Sequence, residues 1–125
     1  MTYIKSYKEL IVWQKSIRLV KEVFILTDNF PKSELYGLTS QMRRAAISIP
    51  SNIAEGYGRK SPKEYAQFYS ISYGSVLELE TQLIIAQELQ FTDPKKFDTV
   101  EALLEEVARM LNSMTIKMKQ LNARR

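Results

Sequence analysis

The sequence has no cysteine and no histidine. Without cysteine there is neither a disulfide nor a thiolate metal cage to hold the fold, and no thiol nucleophile. Without histidine the chain lacks the commonest general base near neutral pH, the commonest metal ligand, and every triad that activates a serine or cysteine through imidazole. A di-iron centre of the helix-bundle kind draws on Glu-x-x-His pairs and loses its ligands for the same reason. The expectation is a protein that is not an enzyme and uses no cofactor or metal.

Long hydrophobic runs are also missing. A stretch such as Val23 to Leu26 is far short of the roughly 20 apolar residues a bilayer span needs. The opening Met-Thr-Tyr-Ile-Lys-Ser-Tyr-Lys has no basic segment leading into an apolar one and a small-residue cleavage site. A cytoplasmic protein with no membrane partner is expected. Glycine and proline number only four each.

What remains is 125 residues, 45% hydrophobic and 26% charged, enough for one core and too few for two ordinary domains. A single domain spanning 1–125 is expected. Ser6 followed by Glu9 forms a Ser-x-x-Glu capping box and predicts the start of a first helix, running to about Asp28 before Phe30-Pro31 breaks it. Trp13, Ile17, Val20 and Phe24 recur at steps of four, three and four, the spacing of one helical face.

A second helix is predicted from near Ser33, burying Leu35, Leu38, Met42, Ala45, Ile49 and Ile53. Pro50 falls inside it, and because the apolar register continues across the proline a kink is expected rather than a break. Asn52 is expected to satisfy backbone groups that Pro50 frees. Gly56 and Gly58 offer positive-φ residues to end the helix.

Ser61-Pro62-Lys63-Glu64 combines an N-cap serine, proline at the first helical position and glutamate at the third, which predicts a third helix to about Gln90. Its inward face is read as Tyr65, Phe68, Tyr69, Ser72, Val76, Leu79, Leu83 and Ala86. Asp93-Pro94 opens a fourth helix with a seam of Phe97, Val100, Leu104, Val107, Leu111, Met114, Met118 and Leu121. The predicted architecture is all-α, an up-down-up-down antiparallel four-helix bundle with helix two kinked at Pro50.

The segment from Tyr36 through Gln41-Met42-Arg43-Arg44-Ala45-Ala46 and Ile49-Pro50-Ser51-Asn52 to Glu55-Gly56 resembles the central motif of a known family. So do Trp13, Phe30-Pro31, and the run Gly74 to Leu83. The family is the four-helix-bundle proteins encoded in intervening sequences of bacterial 23S ribosomal RNA genes, and the resemblance covers nearly the whole chain. It implies a ring-shaped homopentamer and a link to nucleic acid. It also implies a relation to accessory proteins of diversity-generating retroelements, which bind a reverse transcriptase and nucleic acid in pentameric form. It brings no catalytic residues.

Antiparallel topology gathers the start of helix one, the turn between helices two and three, and the end of helix four. That end holds nine cations, Lys5, Lys8, Arg59, Lys60, Lys63, Lys117, Lys119, Arg124 and Arg125, against three acids, Glu9, Glu55 and Glu64, a surplus of about six. The other end holds Lys32, Lys95 and Lys96 against six acids, a deficit of about three. Cations at a helix C-terminus complement the helix dipole and would sit there regardless of partners. The turn at Arg59 to Lys63 stands beside a helix N-terminus and has no such explanation. Arg59, Lys60, Lys63, Lys117, Lys119, Arg124 and Arg125 are therefore the candidate nucleic-acid contacts, to phosphate rather than to bases.

Arg43, Arg44, Asn52, Glu55, Glu78 and Glu80 are expected to form a structural polar network, within or between subunits. Tyr65, Tyr69 and Tyr73, with Tyr57 upstream, could stack on unpaired bases, but a core or interface stripe is the more frequent use of such spacing. The function expected is a homo-oligomeric, non-catalytic adaptor that binds nucleic acid, RNA ahead of DNA. The alternative is a scaffold for another protein, such as a polymerase, with no nucleic-acid binding of its own.

Overall fold

Breaks at Phe30-Pro31, at Gly58 to Ser61 and at Gln90 to Asp93 divide the chain into four helices, and the computed structural model, which describes residues 6–124, packs them side by side. They are α1 (Ile11–Thr27), α2 (Leu38–Tyr57), α3 (Pro62–Glu88) and α4 (Asp98–Ala123). Each lies against the next and α1 closes on α4, the antiparallel bundle that short connections impose. Among the described residues there is no strand, and no helix is long and apolar enough to cross a membrane.

One continuous core holds the four together. Leu19, Met42, Ile53, Leu79 and Leu111, at least one from each helix, are wholly buried, as is Phe97 at the start of α4. Truncating any of these to alanine would cost about 2–5 kcal/mol, a large part of the stability of a domain this size.

The first helix begins later than the capping box predicts. The Ser6 hydroxyl accepts from the Lys8 N–H at 3.1 Å and so caps a 3₁₀ turn over Tyr7–Glu9. Leu10 is then extended (φ −69°, ψ 126°), and α1 starts at Ile11. The inward face of α1 is also shifted. Val12, Ser16, Leu19, Val23 and Leu26 point to the core, whereas Ile17 is 42% exposed and Trp13, Val20 and Phe24 are only half-buried. Two apolar stripes run along this helix one residue apart, and spacing cannot tell which faces inward. A serine tolerates the core position because its hydroxyl donates to the Trp13 carbonyl at 2.7 Å.

The second helix also starts later than predicted, at Leu38 rather than near Ser33. Lys32–Glu34 form a separate 3₁₀ turn, and the Glu34 carboxylate accepts from the Leu38 N–H at 3.4 Å. Leu35 is consequently 45% exposed instead of buried. Past that point α2 runs through Pro50 as one helix. Asn52 does not serve the carbonyl that Pro50 leaves free, which is that of Ala46. Its amide instead donates to the Ser48 carbonyl at 2.8 Å and the Ser48 hydroxyl at 3.0 Å. Beside the proline, the buried Ser72 hydroxyl of α3 donates to the Ile49 carbonyl at 2.9 Å, tying the two helices together.

Neither glycine at the end of α2 uses a positive φ. Gly58 is right-handed (φ −76°), and Gly56 is buried for a steric reason: a Cβ there would lie 2.8 Å from Cβ of Phe68. The start of α3 is as predicted, with the Ser61 hydroxyl accepting from the Glu64 N–H at 3.2 Å. Its end falls to Gln90, whose φ of 56° lets the Phe91 N–H donate back to the Ala86 carbonyl at 3.1 Å. Asp93 accepts from the Lys95 N–H at 2.9 Å and caps a 3₁₀ turn, Pro94–Phe97, that feeds α4. On the predicted seam of α4, Leu121 is 37% exposed, and Leu103 and Thr115 are buried in addition.

The two interior glycines respond oppositely to one substitution. Gly74→Ala adds a Cβ with nothing within 4 Å and should raise stability by about 1 kcal/mol through helix propensity. Gly56→Ala gains the same term but drives its Cβ into Phe68, and overpacking of about 1–3 kcal/mol should leave it net destabilised. Urea unfolding midpoints of the two variants would rank them on either side of the parent.

Lys15 of α1 pairs with Glu106 of α4. That hydrogen bond and charge, helped by Arg109 and Arg18, hold the Glu106 carboxyl below its ordinary 4.5. A depressed carboxylate stabilises fully above the unfolded value and ceases to as pH falls through the folded one. Glu106→Gln should therefore flatten the acid limb of the stability curve below about pH 4.5, as read by thermal melts from pH 6 to pH 3.

Candidate nucleic-acid interface

The basic end is assembled from four pieces of chain. The turn after α2 carries Arg59 and Lys60, and its geometry is fixed from both sides. The Lys60 N–H donates to the Glu64 carboxylate at 3.3 Å, and the Arg59 guanidinium lies over the Phe68 ring at 4.5 Å. This cation–π contact holds the Arg59 charge at the surface of the turn. Lys63 stands in the first turn of α3. Tyr7 packs on Trp13 (ring centroids 5.3 Å apart) and on Tyr57 (6.5 Å), which seats the Lys8 turn against the end of α2.

The fourth piece is the end of α4. Lys63 and Lys119 line one groove, of about 450 Å³, between the first turns of α3 and the last turns of α4. Lys117 and Arg124 are exposed on the same turns of α4. The helices thus bring together Arg59, Lys60, Lys63, Lys117, Lys119 and Arg124, all solvent-exposed. The seventh candidate, Arg125, lies outside the described residues, as does Lys5. Among the described residues the ion pairs are Lys15 with Glu106 and Arg43 with Asp28 (2.9 Å), so none of the six cations has a carboxylate partner.

The other groups are placed differently. Arg43 is half-buried, donating to Asp28 and, at 2.9 Å, to the Thr27 hydroxyl, with its guanidinium 4.5 Å from the centre of the Phe24 ring. It clamps the end of α1 to α2. Arg44, Glu55, Glu78 and Glu80 are exposed, and Glu78 accepts from the Gln82 amide at 3.3 Å. Within one chain, the pairing partner of Arg43 is an aspartate outside the predicted six. Tyr69 is in the core with Tyr65 stacked on it (6.5 Å). Burial, then the nearby Tyr65 and Tyr57, push the Tyr69 hydroxyl above its usual 10.0. Its ring is therefore packing material, not a platform for bases.

Two features escaped the sequence pattern. Gln67, Ser70 and Asn122 line the groove beside Lys63 and Lys119, and polar residues at steps of three and four on an exposed helix face carry no signal until the neighbouring helix end is known. The second is apolar. α3 exposes Ile71 (47%), Leu77 (48%) and Ile84 (53%), and Leu77 and Ile84, two turns apart, share one face of the helix. Trp13, Ile17, Val20, Ile47 and Pro50 line another groove, between α1 and α2.

The family model described as 23S rRNA-intervening sequence protein matches residues 8–113. The match takes in the basic turn at Arg59 to Lys63 and stops short of Lys117, Lys119, Asn122 and Arg124. A comparison with curated proteins gives no match.

A cation in the first turn of a helix opposes the positive end of the helix dipole. Lys63→Glu should therefore stabilise the fold by about 0.3–1 kcal/mol at low salt, with the gain shrinking as salt screens it. Chemical denaturation at two ionic strengths measures both.

Proposed function

The chain belongs to the 23S rRNA-intervening sequence protein family, and from that premise we propose that it is a non-catalytic, homo-oligomeric adaptor of the cytoplasm whose basic end holds nucleic acid, RNA first, by the phosphate backbone. The observation that carries the reading is the set of six exposed cations at one end of the bundle, without carboxylate partners among the described residues. Lys63 adds weight because it stands where the helix dipole disfavours it. A position that lowers stability is better explained by an anionic partner than by solubility.

The exposed Leu77 and Ile84 of α3 and the Trp13 groove support the oligomeric part. They are two different apolar faces on one molecule, and faces of that kind meet head to tail, an arrangement that gives a ring where the rotation between copies closes. Five copies with parallel axes, the ring that the resemblance implies, would gather a charge on the order of +30 on one rim. The same apolar faces favour a second reading, a scaffold for a protein partner with no nucleic-acid binding of its own.

Fluorescence anisotropy with labelled RNA separates the two. Backbone binding through about six phosphates should weaken by roughly a thousandfold between 50 and 200 mM salt. Reversing Arg59, Lys60, Lys63 and Lys119 to glutamate should abolish it while circular dichroism keeps the helical signal. Undiminished affinity in that variant would sink the assignment of the site, and no binding by the parent would leave the protein scaffold.

A further inference from the structure

The grooves of this bundle differ in chemistry. The one between α1 and α2 is lined mainly by apolar side chains, from Trp13 to Ala54. The one at the far end of α3 and α4 includes three carboxylates, Glu80, Glu101 and Glu105, against Arg109. The groove at the basic end has neither character. Among the described residues no carboxylate lines it, its two charges are lysines, and beside them stand two side-chain amides and a hydroxyl, Gln67, Asn122 and Ser70. The small side chains of Ala66, which is buried, and Ala123 line it too and keep it open. Its volume of about 450 Å³ lies within the roughly 300–1,000 Å³ of small-ligand pockets.

We infer that this groove takes one unpaired nucleobase of a single-stranded nucleic acid, with Gln67 and Asn122 bonding its polar edge and Lys63 and Lys119 holding the phosphates on either side. The inference rests on the nucleic-acid reading above and adds a preference to it. A carboxamide offers one acceptor and two donors, the complement of a base edge. Lysines alone would serve any phosphate backbone, duplex or not. Amides in a concavity between two helix ends can reach a base only when it is turned out of a stack, and that requires a single strand, a loop or a bulge. With no acidic side chain among the described lining residues, the field of the two lysines is also focused into the groove. The core position of Tyr69 fits the same scheme, because the base is gripped by its edge rather than stacked on a tyrosine.

The test uses the intact protein with a labelled single-stranded RNA of about 12 nucleotides, within the span such sites cover, and with the duplex of the same sequence, by anisotropy at low salt. The parent should bind the single strand about tenfold more tightly than the duplex. Gln67→Ala with Asn122→Ala should remove that preference while leaving duplex affinity unchanged. Ser70→Trp, which fills the groove from an exposed position without altering charge, should do the same. Equal binding of both forms by the parent, or a preference that survives both variants, overturns the base pocket while the basic end stands. Failure of the parent to bind either form overturns the nucleic-acid reading together with it. Elution volume and helical signal identical to the parent certify each variant.

Discussion

The seam between α2 and α3 is the contact on which the rest of the molecule depends. Gly56 has no side chain, so α3 can bring Phe68 to within 2.8 Å of where a Cβ would stand. Six residues earlier Pro50 removes a backbone donor without ending the helix, and Ser72 reaches across to the Ile49 carbonyl. Ser48 and Ser75 share a further hydrogen bond at 2.8 Å. Small and hydroxyl side chains let two backbones approach closely where larger ones would hold them apart. Because that approach fixes the end of α2, it also fixes the short turn that follows, and with it Arg59, Lys60 and the start of α3.

From that turn the functional geometry follows by topology. Antiparallel packing returns the end of α4 to the start of α3, so Lys119 and Asn122 meet Lys63 and Gln67 although more than fifty residues separate them in sequence. Phe68 both packs against Gly56 and supports the Arg59 guanidinium. One side chain therefore links the close approach at Gly56 to the exposed charge. At the opposite end Phe30, Phe91 and Phe97 cluster with ring centroids 5.4 and 6.1 Å apart, and of the acids there Glu34 and Asp93 accept from backbone N–H groups and Asp28 pairs with Arg43.

Much of the bundle could be read from local chemistry. Ser61-Pro62-Lys63-Glu64 states a helix start in three independent ways, and the structure agrees to the residue. The weaker signals misled where two local solutions compete. Ser6 can cap an α-helix or a 3₁₀ turn, and Leu10 decides for the turn by its extended backbone. α1 carries two apolar stripes, and its inward face is chosen by where α2 and α4 lie, which no spacing within α1 records. The charges of the basic end were legible because clustering by helix ends needs only topology. The groove was not, because Gln67, Ser70 and Asn122 are ordinary surface residues until two distant helix ends are placed side by side.

Charge concentrated at one end and apolar surface left exposed are the two observations from which assembly and the holding of a polyanion are proposed. Light scattering coupled to size exclusion, with and without a short single-stranded RNA at low and at high salt, tests that directly. The account predicts one discrete oligomer that gains the mass of bound RNA at low salt and loses it at high salt. A particle whose mass is unchanged by RNA at low salt would contradict it.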